Sequence, residues 1–312
     1  MVSEQGFYRQ ILTLMTRTSR FVSRWAPALV WLTFPLTAGS AFANALSSHS
    51  ATVQLTAAIG LWVFWLAGLV AALVPSTVSL TTLRVLAPAS LVAAAWAALD
   101  VSNGTDIASS VALGMTALMT VLSLSAGVGY TFINGSSYGD ERRLPLRPPA
   151  PVIMGPLEIV WLLMLSTTFA GPLLVATHQY VIGALVTALA IAIDVAGARI
   201  LHQLSKRWLV FVPAGIVVVD RTTLLDAMLV QRQRILSIGP SPADSSATDL
   251  TANALGVAIE IQLTEPTTII PTPPRRQRKM TIEPVEVSAV RFTPTRPGWV
   301  LDTARERRIN VE

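Results

Sequence analysis

The sequence predicts an α-helical polytopic membrane region of about six transmembrane helices, followed by a small β-rich domain that ends in an α-helix. Three observations carry this reading. Six apolar stretches fill residues 27–203, each about as long as the roughly 20 helical residues that cross the hydrocarbon of a bilayer. The arginines of the connecting loops fall on alternate sides of the membrane. Beyond residue 204 charge returns, and the hydrophobic period shortens from helical to two.

Composition supports the division. Of 312 residues 52% are hydrophobic and 13% are charged, against about 25% charged in a soluble domain. The deficit is local: Arg84 is the single Lys or Arg between residues 27 and 133. The net charge of +5 sits at the ends and in alternate loops, which fits retention of basic residues on the inner side of a membrane better than nucleic-acid binding. Cysteine is absent, so disulfides, thiolate metal sites and cysteine nucleophiles are excluded.

Residues 1–26 form a basic amphipathic segment. Phe7, Ile11, Leu14, Met15, Val22 and Trp25 recur at three- and four-residue steps, and Arg9, Arg17, Arg20 and Arg24 lie mostly off that stripe. Such a helix fits the surface of an anionic bilayer, and an ordinary basic flank fits equally. Spans are expected at about 27–46, 52–74, 78–99, 107–132, 152–175 and 180–201. The N-terminal tail, the loop with Arg142, Arg143 and Arg147, and the exit at Arg199, Lys206 and Arg207 are basic. The segments Ser47–Ala51, Asp100–Asp106 and Ala176–Tyr180 carry no Lys or Arg. Both termini are therefore expected in the cytoplasm. The first stretch, ending Ala43-Asn44-Ala45, also fits a signal peptide cleaved after Ala45, which leaves five spans in the same orientation.

Three ionisable residues fall within spans: Arg84, Glu158 and Asp194. At 1.5 Å per residue each lies roughly 10 Å from the inner surface. A cation and two carboxylates at one depth offset one another, since unpaired charge in hydrocarbon costs roughly 2.5–3.5 kcal/mol. They form a candidate intramembrane charge cluster, read either as structural pairing or as an ion or proton pathway.

In residues 204–312, Val257, Ile259, Ile261 and Leu263 alternate with polar or small residues, as in a half-buried strand. Leu209–Val212 and Ile216–Val219 flank Pro213-Ala214-Gly215 and predict a hairpin. Met228–Val230, Arg234–Ile238, Thr267–Ile270 and Val285–Phe292 are further strands. Pro297, Asp302 and the arginines 305, 307 and 308 mark a terminal helix. The segment 240–253, rich in Ser, Ala, Pro and Asp, is expected to be a surface loop. Pro271-Thr272-Pro273-Pro274 leads into Arg275, Arg276, Arg278 and Lys279, candidates for contact with anionic lipid; a solvated hairpin tip is the simpler alternative.

The strand order, and the step Arg234-Ile235-Leu236-Ser237-Ile238-Gly239 after an opening hairpin, resemble bacterial PH-like domains attached to membrane proteins. The whole chain resembles uncharacterised actinobacterial multipass membrane proteins with such a tail. This resemblance implies a sheet-based binding module without catalysis, on the inner face of a bacterial plasma membrane.

The sequence contains no phosphate-cradling Gly-rich loop and no nucleophile elbow. His49, His178 and His202 are scattered. No catalytic, metal or cofactor site is expected, and no nucleic-acid partner, because no aromatics interleave with the cations. The expected function is a membrane-anchored binding or scaffolding module that engages lipid headgroups or a protein partner. The alternative is a small-solute or ion transporter that uses Arg84, Glu158 and Asp194.

Overall fold

A computed structural model describes residues 21–99, 106–273 and 283–312. The chain divides into two compact units, one of residues 1–136 and 160–198, the other of residues 137–159 and 199–312.

The first unit is helical. Residues 21–32 form α1, followed by α2 (Phe34–Thr37), α3 (Gly39–Leu46), α4 (Ala51–Leu73), α5 (Thr77–Leu99), α6 (Ile107–Leu124) and α7 (Ala126–Asn134). After an inserted segment that holds the short α8 (Ala150–Ile153) come α9 (Pro156–Ala176) and α10 (Tyr180–Ser205). Among the described residues five helices are long and apolar enough to cross a membrane: Ala51–Leu73, Thr77–Leu99, Ile107–Leu124, Ala150–Ala176 and Tyr180–Ser205. These match five of the roughly six expected spans, and the expected first span at 27–46 is not among them. The stretch at 27–46 is helical in three pieces, broken at Thr33 and Ala38. Pro35 lacks an N–H and cannot continue an α-helical ladder, and the Thr33 and Thr37 hydroxyls donate to the carbonyls of Val30 and Thr33. The stretch expected at 107–132 is also broken, at Ser125, whose side chain accepts from Val128 N–H and starts α7.

The broken first stretch is fixed to α4 by a reciprocal pair. Trp31 Nε1–H donates to the Trp65 carbonyl (2.7 Å) and Trp65 Nε1–H to the Trp31 carbonyl (3.1 Å). Gly68 makes room for the Trp31 ring, which a Cβ there would overlap. Helix α5 contains Pro88. Around it the Ala87 carbonyl accepts from the Ser90 and Thr120 hydroxyls, and the Val85 carbonyl from Trp161 Nε1–H. The Thr120 and Trp161 bonds tie the backbone beside Pro88 to α6 and α9.

Helices α9 and α10 meet through glycines. A Cβ at Gly171 would overlap Thr187, one at Gly183 would meet Val175 Cγ2 at 2.7 Å and its backbone nitrogen at 2.8 Å, and one at Gly197 would overlap Met164. Small residues allow such close approach in membranes. Gly60 on α4, by contrast, has nothing within 4 Å of an added Cβ. Gly183→Ala should therefore lower the thermal stability of the detergent-solubilised protein. Gly60→Ala should be neutral or raise it by up to about 1 kcal/mol, the ordinary gain of removing a mid-helix glycine. Equal responses at the two positions would refute the close packing.

The second unit is β-rich and takes strands from both segments of the chain. Strand β1 (Arg142–Pro145) lies in the loop before α8 and α9. It pairs antiparallel with β2 (Trp208–Val212) in the sheet β1-β2-β3-β4, completed by β3 (Gly215–Val219) and β4 (Met228–Gln231). The hairpin β2–β3 turns at Pro213-Ala214, with Val212 opposite Gly215, as expected. The second sheet has the order β5-β7-β8-β6, with β5 (Ile235–Pro240), β6 (Thr248–Asp249), β7 (Ile259–Ile269) and β8 (Val285–Phe292). Pairings there are antiparallel except β6 with β8. Pro266 lies where the β7–β8 register shifts, between Gln262 and Thr267; a proline donates no ladder bond and sits at such irregularities. The segment 240–253 is more tightly held than expected, with Leu250 buried and the Ser241 and Ser245 hydroxyls bonded to Glu260.

The core of this unit includes Leu209, Phe211, Ile216, Val218, Ile261, Phe292, Val300 and Ala304, and β1 adds Leu144. The segment after β1 joins the second sheet, because Arg147 N–H donates to the Thr293 carbonyl and Thr295 N–H to that of Pro145. Arg207 is buried. Its guanidinium donates to both Asp220 oxygens (2.9 and 2.7 Å), to the Arg147 carbonyl (2.6 Å) and to the Thr251 carbonyl (3.4 Å). Asp220 also accepts from the Thr222 N–H and hydroxyl.

Helix α11 (Pro297–Glu306) closes the chain. Its end has the paired bonds of a Schellman motif: Ile309 N–H donates to the Ala304 carbonyl and Arg308 N–H to that of Arg305. Arg308 occupies the left-handed position at φ 56°, which glycine normally fills and where a side chain costs about 1 kcal/mol.

Candidate functional site

Arg84, Asp194 and Glu158 each have a local partner. Arg84 Nε–H donates to the Ser123 carbonyl (3.3 Å), beside the break between α6 and α7. The last carbonyls of a helix have no intrahelical partner and carry the negative end of its dipole, so the break supplies a counterpart for a cation. Asp194 on α10 accepts from the Thr168 hydroxyl on α9 (2.7 Å). Arg84 and Asp194 share no ion pair among the described residues. Glu158 belongs to the second unit. It accepts from Gly155 N–H (2.9 Å) in the first turn of α9, where the helix dipole favours a carboxylate.

The basic stretch Arg275, Arg276, Arg278 and Lys279, and most of the amphipathic segment 1–26, lie outside the described residues. Of the scattered histidines, His178 stands at φ 66° with Nδ1 2.8 Å from the Tyr180 hydroxyl. Among the described residues no group of three His, Asp or Glu side chains is placed to hold a metal.

Each unit has a cavity. In the helical unit an apolar cleft of about 310 Å³ follows the broken stretch, lined among others by Phe34, Pro35, Phe42, Trp62, Trp65 and Phe169. Its wall includes the Ser90 hydroxyl, which is already bonded to Ala87. Among the described residues of this lining none carries a titratable side chain.

The cleft of the β-rich unit is polar. It measures about 290 Å³ and lies between the β2–β3 turn, Arg232 after β4, Asp140, and Glu306 to Ile309 at the end of α11. Arg232 Nη2 donates to the Arg308 carbonyl (3.4 Å), and Arg307 donates to the Asp140 carbonyl. Glu306 is paired with Arg142. Next to Asp140, hydrogen bonding from Arg143 holds the Glu141 carboxyl below its usual range, so Glu141 stays ionised and engaged with Arg143. Sequence reading missed this cleft. Arg307 and Arg308 stood out as partners of the helix dipole, and Arg232 did not stand out at all. No spacing links positions so far apart. No known family, curated protein or solved structure matches this chain.

Proposed function

We propose that the chain is a membrane-anchored binding module whose β-rich domain, at the inner membrane surface, engages lipid headgroups or a protein partner. One observation carries this reading: the loop strand β1 and the tail strand β2 belong to one sheet. Two long apolar helices, Ala150–Ala176 and Tyr180–Ser205, separate these strands in the chain. A sheet cannot be divided by a bilayer, because its ladder groups need partners on both sides. If the two helices cross, both strands therefore emerge on one face. The basic loop and tail favour the inner face. A domain held by both ends of a helical hairpin is suited to presenting a surface close to the membrane.

The test uses the full chain in nanodiscs. A reporter at Ser137 or after Glu312 should be cytoplasmic and one at Asn103 external. Hydrogen exchange of the β-rich domain should slow over a contiguous surface when anionic lipid or a cytosolic fraction is present. An external signal at Ser137, or exchange unchanged under both additions, would dismiss this reading.

A further inference from the structure

We infer that the arginine cleft of the β-rich unit is a binding site for a phosphate-bearing ligand, either a phosphomonoester headgroup in the membrane or a soluble phosphate compound. The inference rests on the binding-module reading above and gives it a ligand chemistry.

Charge argues for phosphate. Arg232, Arg307 and Arg308 line the cleft together with two acids, Asp140 and Glu306. Glu306 is neutralised by Arg142. Three cations against the one remaining carboxylate leave a surplus of two positive charges. A phosphate monoester carries about −1.5 to −2 at pH 7. Guanidinium forks match its oxygens, and they come here from two separate parts of the chain.

Donor availability argues the same way. Among the described residues the Arg308 guanidinium has no hydrogen-bond or ion-pair partner. Among the same residues the Arg232 guanidinium reaches only the Arg308 carbonyl. Gly215, at φ 154°, holds the hairpin against the backbone of Val230 to Arg232, and Ala214 accepts from Arg232 N–H (2.9 Å). The position of Arg232 is therefore set by the fold. At about 290 Å³ the cleft lies at the small end of ligand sites, roughly 300–1,000 Å³, which suits a single headgroup or small phosphate compound.

Arg308 supplies the sharpest observation. It occupies the one position of the helix terminus where glycine is the natural choice. A residue kept at a conformational cost is a reason to look for function beside it. Arg308→Gly should therefore raise the melting temperature and weaken the ligand at least about ten-fold, the smaller end of what one charge-assisted contact contributes. A purely structural arginine would give the first change without the second.

The experiment uses the full-length protein in nanodiscs and an arginine-selective dicarbonyl reagent, with each modified residue located by mass spectrometry. In zwitterionic nanodiscs, millimolar inorganic phosphate should protect Arg232 and Arg308 if the ligand is soluble. If it is a headgroup, protection should appear when phosphatidic acid replaces part of the zwitterionic lipid. Arg305, exposed and paired with Asp302, is the internal control and should react alike throughout. Chloride at matched ionic strength separates site binding from screening. The inference is overturned if neither phosphate nor phosphatidic acid protects the pair, if chloride protects equally, or if Arg308→Gly leaves affinity unchanged. Slowed hydrogen exchange elsewhere on the domain would in that case still support the binding-module reading.

Discussion

Asp220→Ala should destabilise the β-rich unit by about 3–5 kcal/mol, the usual cost of leaving a buried charge without its partner. A domain of this kind has about 5–15 kcal/mol in total, so the variant should be unfolded or nearly so under mild denaturing conditions. The size of the effect follows from burial: the side chains of Arg207 and Asp220 are 1% and 0% exposed. With Asp220 removed, the guanidinium keeps two carbonyl acceptors, Arg147 and Thr251, but no counter-charge. Asp220→Asn should fall between, since its amide oxygen retains one acceptor. The double replacement Arg207→Met with Asp220→Leu should recover part of the loss by eliminating the stranded charge. It should not recover all of it, because the Arg147 carbonyl then lacks a donor at about 1–3 kcal/mol, while the Thr251 carbonyl keeps the Ala254 N–H. Denaturant unfolding of the full chain in nanodiscs, followed by hydrogen exchange in β7 and β8, measures the series. A loss under about 1 kcal/mol for Asp220→Ala, the size expected of an exposed pair, would mean that the pair is solvated and that this account of it is wrong.

The elements legible in the sequence are those whose signal is local. The β2–β3 hairpin follows from two β-branched runs around Pro213-Ala214-Gly215, and α4, α5 and α10 from unbroken apolar length. Strand β1 was hidden by its own composition. Leu144 and Leu146 alternate as a strand requires, but Arg142, Arg143, Pro145 and Arg147 surround them, and such residues read as a basic membrane loop. They are also what an edge strand carries to discourage further pairing. Arg207 was misleading in the same way: a basic residue just after a span has the same appearance whether it faces headgroups or a buried Asp220. The placement of Arg84 and Asp194 inside long apolar helices was readable, but their partners were not, because a backbone carbonyl at a helix break and a threonine hydroxyl leave no charge signature. Arg232 meets Arg307 and Arg308 of the polar cleft only through tertiary structure.

A fragment of residues 204–312, made without the loop, should fail to form a cooperative fold. The loop contributes buried Leu144 and Leu146, and each buried leucine is worth about 1.5–3 kcal/mol. Without the loop, β2 becomes an exposed edge whose ladder groups lose the β1 partners from Arg142 to Pro145. Arg207 also loses the Arg147 carbonyl, its shortest hydrogen bond at 2.6 Å. These losses together approach the whole stability of a small domain. Joining residues 137–150 to residue 204 through a Gly/Ser linker of about ten residues, roughly 16–19 Å end to end, should restore a cooperative melt and dispersed amide signals. If 204–312 alone melts as sharply and at the same temperature as the linked version, β1 is dispensable. The loop would then be no more than a connection between spans. If only the linked version folds, the smallest folding unit includes the segments at both ends of the α9–α10 hairpin, and the pairing of β1 with β2 couples that hairpin to the domain that carries the arginine cleft.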